Sequence, residues 1–167
     1  MTEITRRPTA HLIHGFLGAG KTTLAKSLER DLPAVRFSND EWLARLFGAD
    51  PPAETFAAAD QGILEIMEAL WSRCLILGVD VVLDLGFWSR ARRDAVRAKL
   101  EALGAGYRLY KCSCPEHEAW ARIERRNLLP GSLLITRPTF DGLKARFQPL
   151  EADEAWVAGP PLAQPRG

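Results

Sequence analysis

The chain has 167 residues, the size of one ordinary domain, long enough to bury a core and short for two. Hydrophobic residues at 47% and charged residues at 26% exclude a disordered or fibrous chain. With 22 Lys and Arg against 21 Asp and Glu the formal charge is +1, which excludes a general electrostatic attraction to nucleic acid or membrane, so any basic site must be local.

Met1 to Pro8 is polar and leads into no apolar stretch of signal-peptide length. No segment approaches about 18 continuous apolar residues, so no membrane span is expected and a cytoplasmic location is. Ala10 to His14 reads as a strand, followed by a glycine-rich turn and a helix with Leu24, Leu28 and Leu32 four apart. Ala34 to Ser38 reads as a second strand, and a helix continues through Trp42, Leu43 and Leu46 to a break at Asp50-Pro51-Pro52. From about Glu54 to Leu77 a long helix presents Ile63, Ile66, Met67, Leu70, Cys74 and Leu77 as its expected core stripe.

Val79 to Leu85 is a third strand, Ser89 to Leu103 a helix stopped by Gly104-Ala105-Gly106, and Tyr107 to Cys112 a fourth strand. A further helix starts at Pro115 and runs to about Arg126. Asn127 to Thr139, with Pro130, Gly131 and Pro138, reads as a loop able to close as a lid. Strands alternating with helices imply an α/β fold, a parallel sheet of about five strands with helices on both faces. One domain over 1–158 and a loose tail over 159–167 are expected. Cys74, Cys112 and Cys114 are too few and too poorly spaced for a zinc site, and they read as reduced packing residues.

Gly15-Phe16-Leu17-Gly18-Ala19-Gly20-Lys21-Thr22 matches G-x-x-x-x-G-K-[ST] directly after an apolar strand and directly before a helix. Glycines let successive N–H groups converge on phosphate oxygens, and the positive end of the helix faces the same place. Gly15, Gly18, Ala19, Gly20, Lys21, Thr22 and Thr23 are therefore the expected nucleotide-binding residues. Lys21 is expected to reach the β and γ phosphates of ATP and Thr22 to offer its hydroxyl to Mg²⁺. A dinucleotide fingerprint through Gly18-Ala19-Gly20 fails because Thr23 stands where a third Gly or Ala is required.

In a parallel sheet, residues just past the strand ends meet beside the phosphates. Asp40, after the second strand, is placed to orient an acceptor hydroxyl and take its proton, and it or Glu41 equally suits a helix cap. Asp84 ends an apolar run and is expected to emerge at the strand end to hold Mg²⁺ or its waters, the alternative being a buried carboxylate satisfied by backbone N–H groups. Leu85 follows it, so the Asp-Glu pair many hydrolysing ATPases use to activate water is missing. Arg122, Arg125 and Arg126 share one helix face and form either a cluster that neutralises a transferring phosphoryl group or a solvated face paired with Glu118 and Glu124.

The P-loop, Ser38-Asn39-Asp40, Leu83-Asp84-Leu85-Gly86 with Arg90 to Arg93, Arg122 to Arg126, and Phe147-Gln148-Pro149 with Asp153-Glu154 together resemble the small P-loop kinases. That group includes polynucleotide kinase, chloramphenicol phosphotransferase and zeta toxin. The resemblance covers most of the chain and implies a three-layer P-loop NTPase fold, a catalytic aspartate at Asp40 and lid arginines at Arg122 and Arg126. Beyond Arg90, Arg92, Arg93 and Arg97 no basic and aromatic platform for a strand is evident, so the acceptor stays open. Phe87 and Trp88 read either as acceptor-pocket walls or as core.

The leading expectation is transfer of the γ-phosphoryl group of ATP to a hydroxyl of a small molecule, with Lys21, Asp40, Arg122 and Arg126 catalytic and Thr22 and Asp84 on Mg²⁺. A 5′-hydroxyl polynucleotide kinase is the second reading, and a nucleotide-dependent binding or switch module without transfer the third.

Overall fold

The computed structural model describes residues 6–159. Five strands, β1 (Thr9–His14), β2 (Ala34–Ser38), β3 (Asp80–Asp84), β4 (Gly106–Lys111) and β5 (Val157–Ala158), form one sheet in the order β2-β3-β1-β4-β5. All pairs are parallel, with Leu12 opposite both Leu83 and Leu109. Six helices connect them: α1 (Lys21–Asp31), α2 (Asn39–Phe47), α3 (Ala53–Ile76), α4 (Arg90–Ala102), α5 (Glu116–Asn127) and α6 (Arg137–Lys144).

The period of two along each strand divides the core into layers. Ala10, Leu12, Phe37, Val81 and Leu83 face one way and pack with Leu43, Met67, Trp71 and Leu100 of α2, α3 and α4. Ile13, Val82 and Tyr110 face the other way and pack with Leu24 and Ala25 of α1. Helices therefore cover both faces, as the alternating pattern implies, and every strand delivers its C-terminal end to the same edge.

The helix over 54–77 forms within one residue of its expected ends, but its buried face is rotated. Ile63, Met67, Trp71 and Leu75 are buried, whereas Ile66, Leu70 and Leu77 are exposed. Spacings of three and four fit two adjoining stripes on a helix, and the wide Trp71 side chain decides which one faces the sheet. α4 matches its expected span, because Ser89 is its N-cap, accepting from Arg92 N–H at 3.2 Å, and Leu103 its C-cap.

The expected lid over 127–139 is corrected at its far end, where α6 begins at Arg137. Thr136 caps that helix through Thr139 N–H and Pro138 occupies its first turn, so the proline that reads as a loop residue is a helix-start residue. The loop is closed by Asn127, whose side chain donates to Ile135 O at 2.8 Å and accepts from Ile135 N–H at 3.1 Å. Leu133 and Ile135 are buried, while Leu128, Leu129 and Leu134 are exposed. The expected loose tail lies outside the described residues except for Gly159, whose N–H bonds to Lys111 O at 2.9 Å.

The rotated face of α3 is open to direct measurement. Trp71→Ala is expected to cost about 3–5 kcal/mol in urea unfolding, whereas its neighbour Leu70→Ala is expected to change stability by less than about 0.5 kcal/mol.

Candidate active site

The turn after β1 leaves the regular backbone at Gly18 (φ 72°) and Gly20 (φ 91°), a left-handed conformation that glycine adopts without strain. Gly18 also lies against α5, where a β-carbon would come within 2.4 Å of Ala119 O. Gly20 is the N-cap of α1 and makes no side-chain cap. The first helical bond is Leu24 N–H to Gly20 O at 3.1 Å, so the preceding N–H groups are available at the positive end of the helix. Lys21 Nζ donates to Phe16 O at 2.9 Å across the loop.

Two carboxylates face this lysine. Asp84, at the end of β3, does not emerge as the sequence suggests: it is buried, and its Oδ2 has no hydrogen-bond partner. Burial raises its carboxyl above the ordinary aspartate range, opposed by Lys21 and by a hydrogen bond from the Thr22 side chain. Asp40 sits in the first turn of α2, whose N-cap is Ser38, so Asp40 is not the capping residue. Its exposed surface faces concave walls, and the crowding of protein around it raises its carboxyl, against the pull of Lys21 and Arg126 and with help from Asp60. Burial in turn pulls the Lys21 ammonium below the usual lysine range, with Asp84 and Asp40 opposing it.

The arginines of α5 divide. Arg122 donates to Gly18 O at 3.1 Å and pairs with Glu118 at 3.3 Å, so it belongs both to the loop and to the paired face. Arg126 keeps a buried Nε with no partner. Arg125 is exposed.

A cavity of about 700 Å³ is lined by Gly18, Gly20, Lys21, Thr22, Thr23, Asp40, Arg122, Arg125 and Arg126. A second, of about 610 Å³, adjoins it and shares Thr22, Asp40 and Arg126 with it, its far wall carrying Trp42, Arg45 and the loop at Pro130 to Leu133. Gly15 and Ala19 line neither cavity: Gly15 O accepts from Trp88, and Ala19 N–H turns back to Phe16 O. Trp88 thus touches the loop itself, a contact between residues 73 apart in sequence that no local pattern signals. Asp60, from α3, joins the site through Asn39, which donates to it at 2.9 Å.

A parallel sheet in the order 2-3-1-4-5 with this loop after its central strand defines a P-loop NTPase of kinase-like fold. The chain belongs to a family described as the AAA domain, whose model matches residues 11–150. Among curated proteins it is 35% identical over 151 residues to the Glutamyl-Q tRNA(Asp) synthetase of Chromobacterium violaceum, a match covering 86% of this chain and 45% of that protein. The chain therefore spans less than half the length of that relative. Among solved structures it is similar to Chaetomium thermophilum Kti12 in complex with ADP-AlF3, with TM-score 0.66, 19% identity and coverage of 88% of this chain and 84% of that one. It is also similar to a gluconokinase from Sinorhizobium meliloti, with TM-score 0.62, 16% identity and coverage of 92% and 82%. These likenesses are of fold, and they agree with the resemblance to small P-loop kinases. No helix among the described residues is long and apolar enough to cross a membrane.

The close approach at Gly18 sets a steric expectation. Gly18→Ala combines a strained φ with a backbone clash and is expected to destabilise the protein by roughly 1 kcal/mol or more, read as a lowered urea midpoint, and to weaken ATP binding in calorimetry.

Proposed function

We propose that the chain is an ATP-dependent kinase that transfers the γ-phosphoryl group to a hydroxyl of a small molecule. The observation that carries this reading is the junction of the two cavities at Thr22, Asp40 and Arg126. One cavity fits a nucleotide whose phosphates lie on the loop, and the other gives an acceptor a route to Asp40. The gluconokinase likeness in fold supports a small hydroxylated acceptor. The ion pairs of Arg90, Arg93 and Arg97 with acidic residues near the C-terminus count against an open basic stripe for a polynucleotide.

In this mechanism the loop N–H groups and Lys21 hold the β and γ phosphates. The Thr22 hydroxyl and the unpartnered oxygen of Asp84 suit a hard, oxygen-preferring cation, and they would hold Mg²⁺. When bound, that ion neutralises charge building on the β and γ phosphate oxygens. Asp40 accepts the proton as the acceptor oxygen bonds to the γ-phosphorus. The bond from that phosphorus to the β–γ bridging oxygen breaks, and ADP leaves. Arg126, with Arg122 beside it, faces the charge on the moving group.

The reading is tested with labelled ATP and a panel of sugars, sugar acids, nucleosides and oligonucleotides. Labelled product on a small alcohol supports it, and slow hydrolysis with no transfer overturns it. Asp40→Asn is expected to lower kcat by about 10²–10⁴-fold while ATP still binds.

The pH profile carries a second expectation. A raised Asp40 must lose its proton to act, so the acid limb of kcat/KM is expected above the ordinary aspartate value of 3.8. A depressed Lys21 loses its charge early, so the basic limb is expected below the ordinary lysine value of 10.5.

A further inference from the structure

The turn after β3 carries backbone strain and no role in the mechanism above. Phe87 is fully buried and its φ of 49° lies in the left-handed region, directly after Gly86 at 78°. A residue with a β-carbon stays in that region only where its surroundings fix it. Two donors do so here, since His14 Nδ1 and Arg93 Nη1 each reach Phe87 O at 3.1 Å. Burial keeps the His14 ring neutral by pulling its pKa down to about 4, and the bond to a carbonyl places its proton on Nδ1.

Arg93 is itself buried and saturated. Nε and Nη2 grip the two oxygens of Glu154 at 2.8 and 2.7 Å, and the remaining hydrogens reach Gln148 O, Pro149 O and Phe87 O at 3.1 to 3.2 Å. Five donors meet five acceptors. Glu154 accepts as well from Arg97 at 2.8 Å and from Glu151 N–H at 3.0 Å, and the guanidinium of Arg93 holds its carboxyl far below the usual range. Gln148 N–H closes the clamp on Trp88 O at 2.9 Å.

On its other side the same turn touches the phosphate loop. Trp88 Nε1–H donates to Gly15 O at 2.9 Å, and its ring lies 5.4 Å from that of Phe16. Phe16 O is the acceptor of Lys21. The geometry points to Trp88 as a positioning residue of the phosphate loop, held there by the Glu154–Arg93 clamp through the strained Phe87 carbonyl. A glycine-rich loop fixed at its entry loses less freedom when it binds phosphate, so the clamp supports affinity from a segment more than 130 residues away in sequence. The inference rests on the reading of this loop as an ATP site.

Calorimetry with Mg²⁺ and ATP separates the two. No binding by the unaltered chain overturns the ATP reading and this inference with it. Trp88→Phe keeps an aromatic ring beside Phe16 and removes the N–H donor together with the five-membered part of the indole. It is expected to weaken ATP about five-fold, the worth of one hydrogen bond, with a raised KM for ATP at unchanged kcat, and a modest fall in the urea midpoint reports the lost indole volume. Unaltered affinity in Trp88→Phe, or a lower midpoint with unaltered affinity, overturns the inference and leaves the ATP reading standing. Glu154→Gln, measured where it is folded, is expected to weaken ATP similarly, and the double variant to be no weaker than the weaker single one. Additive losses overturn the link through Trp88. Should Glu154→Gln fail to fold, Trp88→Phe alone decides.

Discussion

The parallel direction of the five strands is the constraint from which the site follows. Because β1, β2 and β3 end at one edge, the phosphate loop, Asp40 and Asp84 arrive together though they are far apart in sequence. The ladder pairs Ser38 with Asp84, so the N-cap residue of α2 is level with the buried carboxylate, and Asp40 lies two residues further on, in the first turn of the helix. A slip of one residue in β3 would send Asp84 to the opposite face, among Ala10, Leu12 and Phe37 of the neighbouring strands. Register, fixed by the apolar alternation of the strands, is thus what places a charge beside Lys21.

That placement creates groups that perturb one another. Burial disfavours charge on Asp84 and Lys21 alike, and each partly rescues the other. Asp40 adds a second negative charge, and Arg126 a second positive one. Such balance makes the ionisation of any member depend on what else occupies the cavity, since a polyphosphate brings its own charge. The unpartnered atoms, Asp84 Oδ2 and Arg126 Nε, are polar groups that packing alone leaves unsatisfied, as ligand-binding sites commonly do.

Much of this arrangement is legible in the sequence, for local reasons. The glycine motif needs its strand before and its helix after, and Ser89 and Leu103 bracket α4 within their own neighbourhood. The missed features depend on partners the local pattern does not name. Val157–Ala158 is too short to show alternation and is a strand only because β4 pairs with it. Arg93 reads as part of a basic helix, and only the return of Glu154, 61 residues later, turns it into a buried ion pair. Asp84 follows three apolar residues and invites the view that it emerges, yet it is buried beside Lys21 and Thr22 at the start of α1. In α3, two stripes were equally periodic, and tertiary packing chose between them.

The double hydrogen bond of Asn127 to Ile135 has a mechanical consequence. It closes residues 127–135 into a ring, with Leu133 and Ile135 as its buried anchors. A ring pinned at its neck cannot flex from its base by sliding one arm past the other. Its neck lies at the end of α5, so the helix that carries Arg126 and the loop that walls the second cavity are joined by side-chain bonds as well as by the chain. The position of the Arg126 guanidinium and the shape of that cavity wall are in this way set by one piece of structure rather than two.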